Sequence, residues 1–171
     1  MPFTIDFADA VVAITGVTSG IGQGIARLVA RAGAHVAGCL RSAPDSAGAQ
    51  RFREIVEEEK SDRTHAESFY VSCDIAERDG PQAFIDATVK RFGTIDSVVS
   101  NAGRNVFTGI DDTTIDQWEE SINLDLRSHW LLAQAAKNAL SSERPKTRSA
   151  VAERHRPPDI GCPTFLINSS N

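Results

Sequence analysis

Several things are scarce in this 171-residue chain, and each scarcity removes a class of function. No apolar run approaches the roughly 20 residues of a membrane-spanning helix, so no bilayer role is expected. The opening Met1-Pro2-Phe3-Thr4-Ile5-Asp6 has neither a basic flank nor a long apolar stretch, so it does not read as a secretory leader. Positive charge is in the minority. Lys and Arg number 18 against 23 Asp and Glu, and the net charge of -5 argues against a nucleic-acid partner. Cysteine is sparse: Cys39, Cys73 and Cys162 are widely separated and odd in number. That pattern suits a reducing cytoplasm better than a disulfide framework. There is no C-x-x-C and no H-E-x-x-H, and His35, His65, His129 and His155 are scattered. No metal site is expected, and the four histidines read as solvated or core-edge residues.

What is present is ordinary for a globular protein: 41% hydrophobic and 24% charged residues. The length suits one domain over residues 1–171 with a sizeable core. Strand and helix patterns alternate along it. Residues 11–14, Val-Val-Ala-Ile, read as a buried strand. Ile21, Ile25, Leu28, Val29 and Ala32 then recur at helical spacing, and Gly33 fits just past that helix's end. Residues 34–40 read as a second strand containing Cys39. Phe52, Ile55 and Val56 mark a second helix, and residues 57–60 continue its polar outer face. Residues 68–73 form a third strand that ends at Asp74. Pro81 opens a third helix whose inward stripe is Phe84, Ile85, Thr88, Val89 and Phe92. Residues 95–100 are a fourth strand.

Thr114 and Gln117 have capping-box spacing. Behind them Trp118, Ile122, Leu126, Trp130, Ala133 and Leu140 follow a 3.6-residue period, with Leu124 and Leu131 off that stripe. The helix is therefore expected either to pack on both sides within the chain or to meet a partner subunit as well. Residues 164–168 read as a fifth strand. This alternation predicts an α/β, doubly wound parallel sheet with helices on both faces, in the order 3-2-1-4-5. Residues 141–163 break the pattern with four prolines, five Lys and Arg residues and no apolar period. They are expected to be an irregular surface insertion, far more simply a solvated loop than a nucleic-acid contact.

The stretch Thr15-Gly16-Val17-Thr18-Ser19-Gly20-Ile21-Gly22 joins the first strand to the first helix. A strand entering a glycine-rich turn and then a helix is a phosphate cradle. Turn amides and the positive helix end point at an anion, and glycine permits close approach and unusual φ values. The order Gly16-x-x-x-Gly20-x-Gly22 does not fit the common G-x-G-x-x-G. It resembles the T-G-x-x-x-G-I-G signature of short-chain dehydrogenases/reductases. Asn101-Ala102-Gly103 after the fourth strand is similar to that family's N-A-G, and Asp74 with Ile75 stands where the family meets the adenine.

The resemblance implies a Rossmann-like fold binding a nicotinamide dinucleotide. Gly16, Thr18, Ser19, Gly20, Ile21 and Gly22 would lie at the phosphates, with Asp74, Ile75, Asn101, Ala102 and Gly103 along the adenosine. At the end of the second strand, Leu40 is followed by Arg41 rather than by a carboxylate. An arginine there can bind a ribose 2′-phosphate, so NADP is favoured over NAD. The implied activity interconverts a carbonyl and an alcohol of a small molecule by hydride transfer. The family also implies a homo-oligomer meeting through the helix that carries the tryptophans.

Four side chains do the family's chemistry: Asn, Ser, Tyr and Lys. Asn123 in Ile122-Asn123-Leu124 resembles the asparagine, and Ser170 in Asn168-Ser169-Ser170 resembles the serine. Tyr70 is the only tyrosine, and the residue four beyond it is Asp74, so no Tyr-x-x-x-Lys exists. The resemblance thus covers the family's first two-thirds, and the 171 residues are expected to be C-terminally incomplete and inactive or nearly so. A non-catalytic nucleotide-binding or interaction protein stands beside the enzyme reading.

Overall fold

The computed structural model describes residues 6–60, 65–104, 108–141 and 164–167. Residues 142–163 of the expected insertion and the serines at 169 and 170 lie outside them. The elements in chain order are β1 Val11–Thr15, α1 Gly20–Arg31, β2 His35–Leu40, α2 Ala47–Glu58, β3 Ser68–Ser72, α3 Gly80–Phe92 and β4 Ser97–Ser100. There follow α4 Ile115–Ile122, a π-helical turn Asn123–Arg127, α5 Ser128–Ser141 and β5 Thr164–Ile167. Ser141 still belongs to α5, so the helical pattern runs one residue into the stretch expected to be irregular.

All strand pairs are parallel, and the sheet order is β3-β2-β1-β4-β5, as the alternation predicts. Ala13 of β1 lies beside Ala37 of β2 and Val98 of β4, which fixes the central register. Helices cover both faces, so β1 is buried at every residue. Strand alternation sends Val12, Ile14, Val36, Tyr70 and Val99 to one core with Phe52 and Val56 of α2. It sends Ala13, Ala37, Cys39 and Val98 to the other, with Phe84 and Ile85 of α3 and Leu132 and Ala136 of α5.

Helix α1 corrects the expected stripe. Ile21 and Leu28 are 53% and 54% exposed, while Gly22, Ala26, Val29 and Ala30 are buried. The helix lies so close to the sheet that a ridge of small residues, Gly22, Ala26 and Ala30, takes the contact. The larger side chains are displaced to the flanks. On its outer side Arg27 and Arg31 reach Glu59 at 2.6 and 2.7 Å, and Arg27 reaches Glu58 at 3.0 Å. These arginines hold both carboxyls below the usual carboxylate range. The pairs join α1 to α2 at the surface, where solvent screens them.

The capping box at Thr114 and Gln117 is formed in both directions. The stripe behind it is the second correction. Trp118, Leu126 and Trp130 are 60%, 64% and 60% exposed, and Ile122 is exposed too. The sheet side of this helix is instead Ser128, His129, Leu132 and Ala136, with Leu140 packed at its margin. A π turn adds one residue per hydrogen-bonded loop and rotates the face that follows it. The amide of Ser128 donates to Asn123 O across that turn.

Candidate functional site

The chain order of the strands reverses between β1 and β4, and both strands end at the same edge. In open parallel sheets this is where a crevice forms for ligands. Thr15, the last residue of β1, is fully buried and ties the two ends together. Its Oγ1 accepts from the amides of Asn101 at 2.9 Å and Ala102 at 3.0 Å. Asn101 returns the link: its Nδ2 donates to Thr15 O at 3.0 Å and Gly16 O at 3.1 Å. The N-A-G tripeptide is thus the clamp that shapes the glycine loop, as well as part of the cavity wall.

The glycines in the loop do different work. Gly16 has φ of +72° and a Cβ there would lie 2.9 Å from Ala102 Cα. A Cβ on Gly22 would lie 2.1 Å from Gly16 O and 2.4 Å from Asn101 Nδ2. Both positions are closed by backbone and clamp. Gly20 is the opposite case: φ is +56°, and a Cβ there meets nothing within 4 Å. Gly20 needs its conformation and faces open space.

That space is a cavity of about 860 Å³. Gly16, Thr18, Ser19, Gly20 and Ile21 form its glycine-loop wall, while Gly22 stands behind the wall as packing. Arg41 follows β2, Asp74 and Ile75 follow β3, and Asn101, Ala102 and Gly103 follow β4; all six line the cavity. Asn123, at the start of the π turn, lines the far side. Twelve chain-separated residues expected together from sequence therefore share one crevice, and Ser170 lies outside the described residues.

Electrostatics favour an anion at the loop. Helix α1 begins at Gly20, its Ser19 side chain makes no capping bond, and its first turn holds no acid. The uncompensated positive end faces the cavity. Arg41 is largely exposed and sits 3.8 Å from Asp74 Oδ2. Asp74 uses its other oxygen to accept from Ala76 N at 2.9 Å, which shapes the turn after β3.

Three contacts were not legible beforehand. Asp125 Oδ1 accepts from Arg104 N at 3.0 Å, so this residue, two beyond Asn123, holds the loop after β4. Arg127 donates to Ala76 O at 2.8 Å and ties the same helix to the loop after β3. Ser100 Oγ and His129 Nδ1 are hydrogen-bonded inside the sheet–α5 contact. Burial holds His129 below its usual pKa, opposed by the charge of Asp125. Of the two expectations for the histidines, solvated or core-edge, His129 and His35 take the second: both are only 8% exposed. The i, i+4 spacing of Asp125 and His129 was the one available signal. Among the described residues no His, Cys, Asp and Glu cluster could hold a metal, and no helix is long and apolar enough to cross a membrane.

The profile of the short chain dehydrogenase family matches residues 10–148. The chain is 28% identical to trans-4-hydroxycyclohexanecarboxylate dehydrogenase of Sinomonas cyclohexanicum, over 79% of this chain and 51% of that protein. It is 30% identical to L-fucose dehydrogenase of Oryctolagus cuniculus, over 76% of this chain and 42% of that protein. Among solved structures it resembles an alcohol dehydrogenase from the archaeon Thermococcus sibiricus complexed with 5-hydroxy-NADP. The TM-score is 0.68 at 30% identity, covering 77% of this chain and 53% of that one. The chain spans about half the length of these relatives. With the switch-point crevice, the glycine loop and its asparagine clamp already in place, this chain belongs to the short chain dehydrogenase family.

Proposed function

We propose that this chain forms the nucleotide-binding part of an NADP-dependent oxidoreductase that interconverts a small-molecule carbonyl and alcohol. The observation that carries the reading is Gly20: a left-handed glycine at an uncapped helix N-terminus, with open cavity where a side chain would stand. A diphosphate fits that place and a Cβ would intrude on it. Thr18, Ser19 and the amides around Gly20 and Ile21 would hold the phosphates. Asp74, Ile75 and the residues 101–103 would flank the adenosine, and Arg41 the 2′-phosphate. When bound, the nicotinamide supplies or accepts the hydride.

Asn123, on the cavity wall at the π turn, would hold water on the proton path, and Ser170 would hydrogen-bond the substrate oxygen. No Tyr-x-x-x-Lys occurs in these 171 residues, so proton exchange at that oxygen is assigned to none of them. Loss of such an acid/base costs about 10²–10⁴ in rate, so the 171-residue chain alone is expected to turn over weakly. A second reading of these 171 residues is nucleotide binding without catalysis. Two further elements belong to the proposal. The exposed Trp118, Ile122, Leu126 and Trp130 stripe suits a second copy of the chain. The free thiols of Cys39 and Cys73 suit the cytoplasm.

Fluorescence titration with NADPH and NADH tests the reading. NADPH should bind more tightly. Arg41→Ala should weaken NADPH by about tenfold, the low end for a charge-assisted bond because the side chain is exposed, and leave NADH within about twofold. Equal losses for the two would refute the NADP assignment. Absence of binding to both at millimolar concentration would overturn the cradle. Carbonyl reduction by the 171-residue chain at a rate typical of enzymes would overturn the second reading.

A further inference from the structure

Two buried polar side chains meet inside the contact between the sheet and α5. Ser100, the last residue of β4, is fully buried, and His129, in the first turn of α5, is 8% exposed. Ser100 Oγ and His129 Nδ1 share a hydrogen bond. It ties the helix to the strand end from which the clamp departs, because Asn101 is the next residue. Asn101 holds the glycine loop through Thr15 O and Gly16 O, and its own amide is held by Thr15 Oγ1.

We propose that His129 is a positioning residue for the nucleotide site: uncharged, it holds the end of β4 through Ser100 with Asn101 clamped on the glycine loop, and its protonation loosens the clamp and weakens nucleotide binding. With its proton on Nε2, the neutral ring accepts from the Ser100 hydroxyl at Nδ1. The charged ring carries N–H at both nitrogens and can only donate, so the bond must reverse inside a site nearly closed to water. Burial disfavours the charged ring, and Asp125, four residues earlier, is the charge that opposes this. Asp125 already accepts from Arg104 N on the cavity loop after β4. Attraction to an imidazolium draws it away from that loop as well.

The elements packed against α5 are α3, β4, β5 and the π turn. Strands β4 and β5 carry no titratable side chain. Asp86, Lys90 and Arg91 of α3, Arg127 of the π turn and Lys137 of α5 itself are exposed. Among the described residues Asp125 is therefore the charge that answers the ring. The nucleotide effect rests on the proposed cofactor site, whereas the link from His129 to the clamp does not.

Two measurements on the full chain test this. In the nucleotide-free protein, NMR should show the Asn101 and Ala102 amides moving with pH on the same midpoint as the His129 ring, below about 6.5. NADH, which has no titrating 2′-phosphate, serves as the nucleotide probe from about pH 7.5 to about pH 5, read by fluorescence within minutes of mixing. Its affinity should fall by about fivefold as the ring protonates, and by reciprocity saturating NADH should lower the His129 midpoint by about 0.7 pH unit. His129→Asn keeps a polar atom near the place of Nδ1 and does not titrate. It should bind NADH within about twofold of the parent at the upper pH and keep that affinity at the lower. Ser100→Ala removes the link with little change of volume and should bind NADH about fivefold more weakly at every pH. Circular dichroism at each pH checks that the variants are folded. Amide signals that ignore the His129 titration overturn the link. Parent affinity that stays constant, or that rises toward acid pH through simple attraction of the diphosphate to an imidazolium, overturns the coupling to nucleotide. So does an acid loss that persists undiminished in His129→Asn. If neither NADH nor NADPH binds at the upper pH, the proposed function fails, and the amide signals still decide the link.

Discussion

Replacing Gly22 with alanine puts the glycine-loop geometry to its hardest test. The new Cβ would stand 2.1 Å from Gly16 O and 2.4 Å from Asn101 Nδ2, far inside contact distance. Two responses are open. Helix α1 can withdraw from the sheet, taking the buried Ala26 and Ala30 with it; overpacking of this kind costs about 1–3 kcal/mol. Alternatively Asn101 can leave, breaking its bonds to Thr15 O and Gly16 O. Each lost bond costs about 0.5–1.5 kcal/mol. Either route gives a loss of about 1–3 kcal/mol, and both together up to about 6. For a domain of this size each kcal/mol moves Tm by about 2–4 °C, so the variant should melt about 2–12 °C lower by either route alone and further if both occur.

Two neighbours calibrate the result. Gly20→Ala meets no atom within 4 Å and bears only the left-handed backbone cost, about 1–2 kcal/mol. Gly24 also meets nothing within 4 Å and its φ is not positive. Gly24→Ala should therefore stabilise by about 0.5–1 kcal/mol through helix propensity. Thermal unfolding followed by circular dichroism, without nucleotide, should rank Gly24→Ala above the parent, then Gly20→Ala, then Gly22→Ala. If Gly22→Ala melts at or above Gly20→Ala, the clamp does not close on that position.

Other expected outcomes are simpler. Gly20→Val should project its side chain into the cavity and block both NADPH and NADH in titration; retained binding would misplace the phosphates. Trp118→Glu with Trp130→Glu puts charge on the exposed stripe and should convert a self-associating chain to monomer by light scattering, without lowering its melting temperature. His129 sets an acid-side dependence. Burial holds its pKa in the fold below the unfolded value near ~6.5, so the unfolded chain binds its proton first. The stability it contributes is complete above about pH 6.5 and is lost as pH falls through the depressed folded value. In His129→Gln, urea midpoints measured across that window should change less with pH than in the parent; an unchanged dependence would remove His129 from the account.

Much of this molecule is written locally. Apolar runs separated by helical periods leave a right-handed parallel sheet as the ready solution, and the order through β3, β2, β1, β4 and β5 follows from it. The glycine stretch and Asn101-Ala102-Gly103 mark the edge where the cavity lies, because each needs backbone that only small residues allow. Period is a local property, so the capping box at Thr114 and the helix behind it were legible as well.

Phase is a different matter, because it is set by what packs against the element. The small ridge of α1 won the sheet contact over Ile21 and Leu28, since a close approach excludes large side chains. Trp118 before the π turn and Trp130 after it both face away from the core. The turn itself carries Asn123 on the cavity wall and Asp125 on the loop amide of Arg104. Nor could spacing put Cys39 and Cys73 on one cavity wall, since they lie on separate strands and share that wall only through the β2–β3 register. Residue order alone determined which elements form and in what succession. Only close packing in three dimensions decided which side of each faces the sheet, the solvent or the cavity, because steric fit depends on neighbours that are distant along the chain.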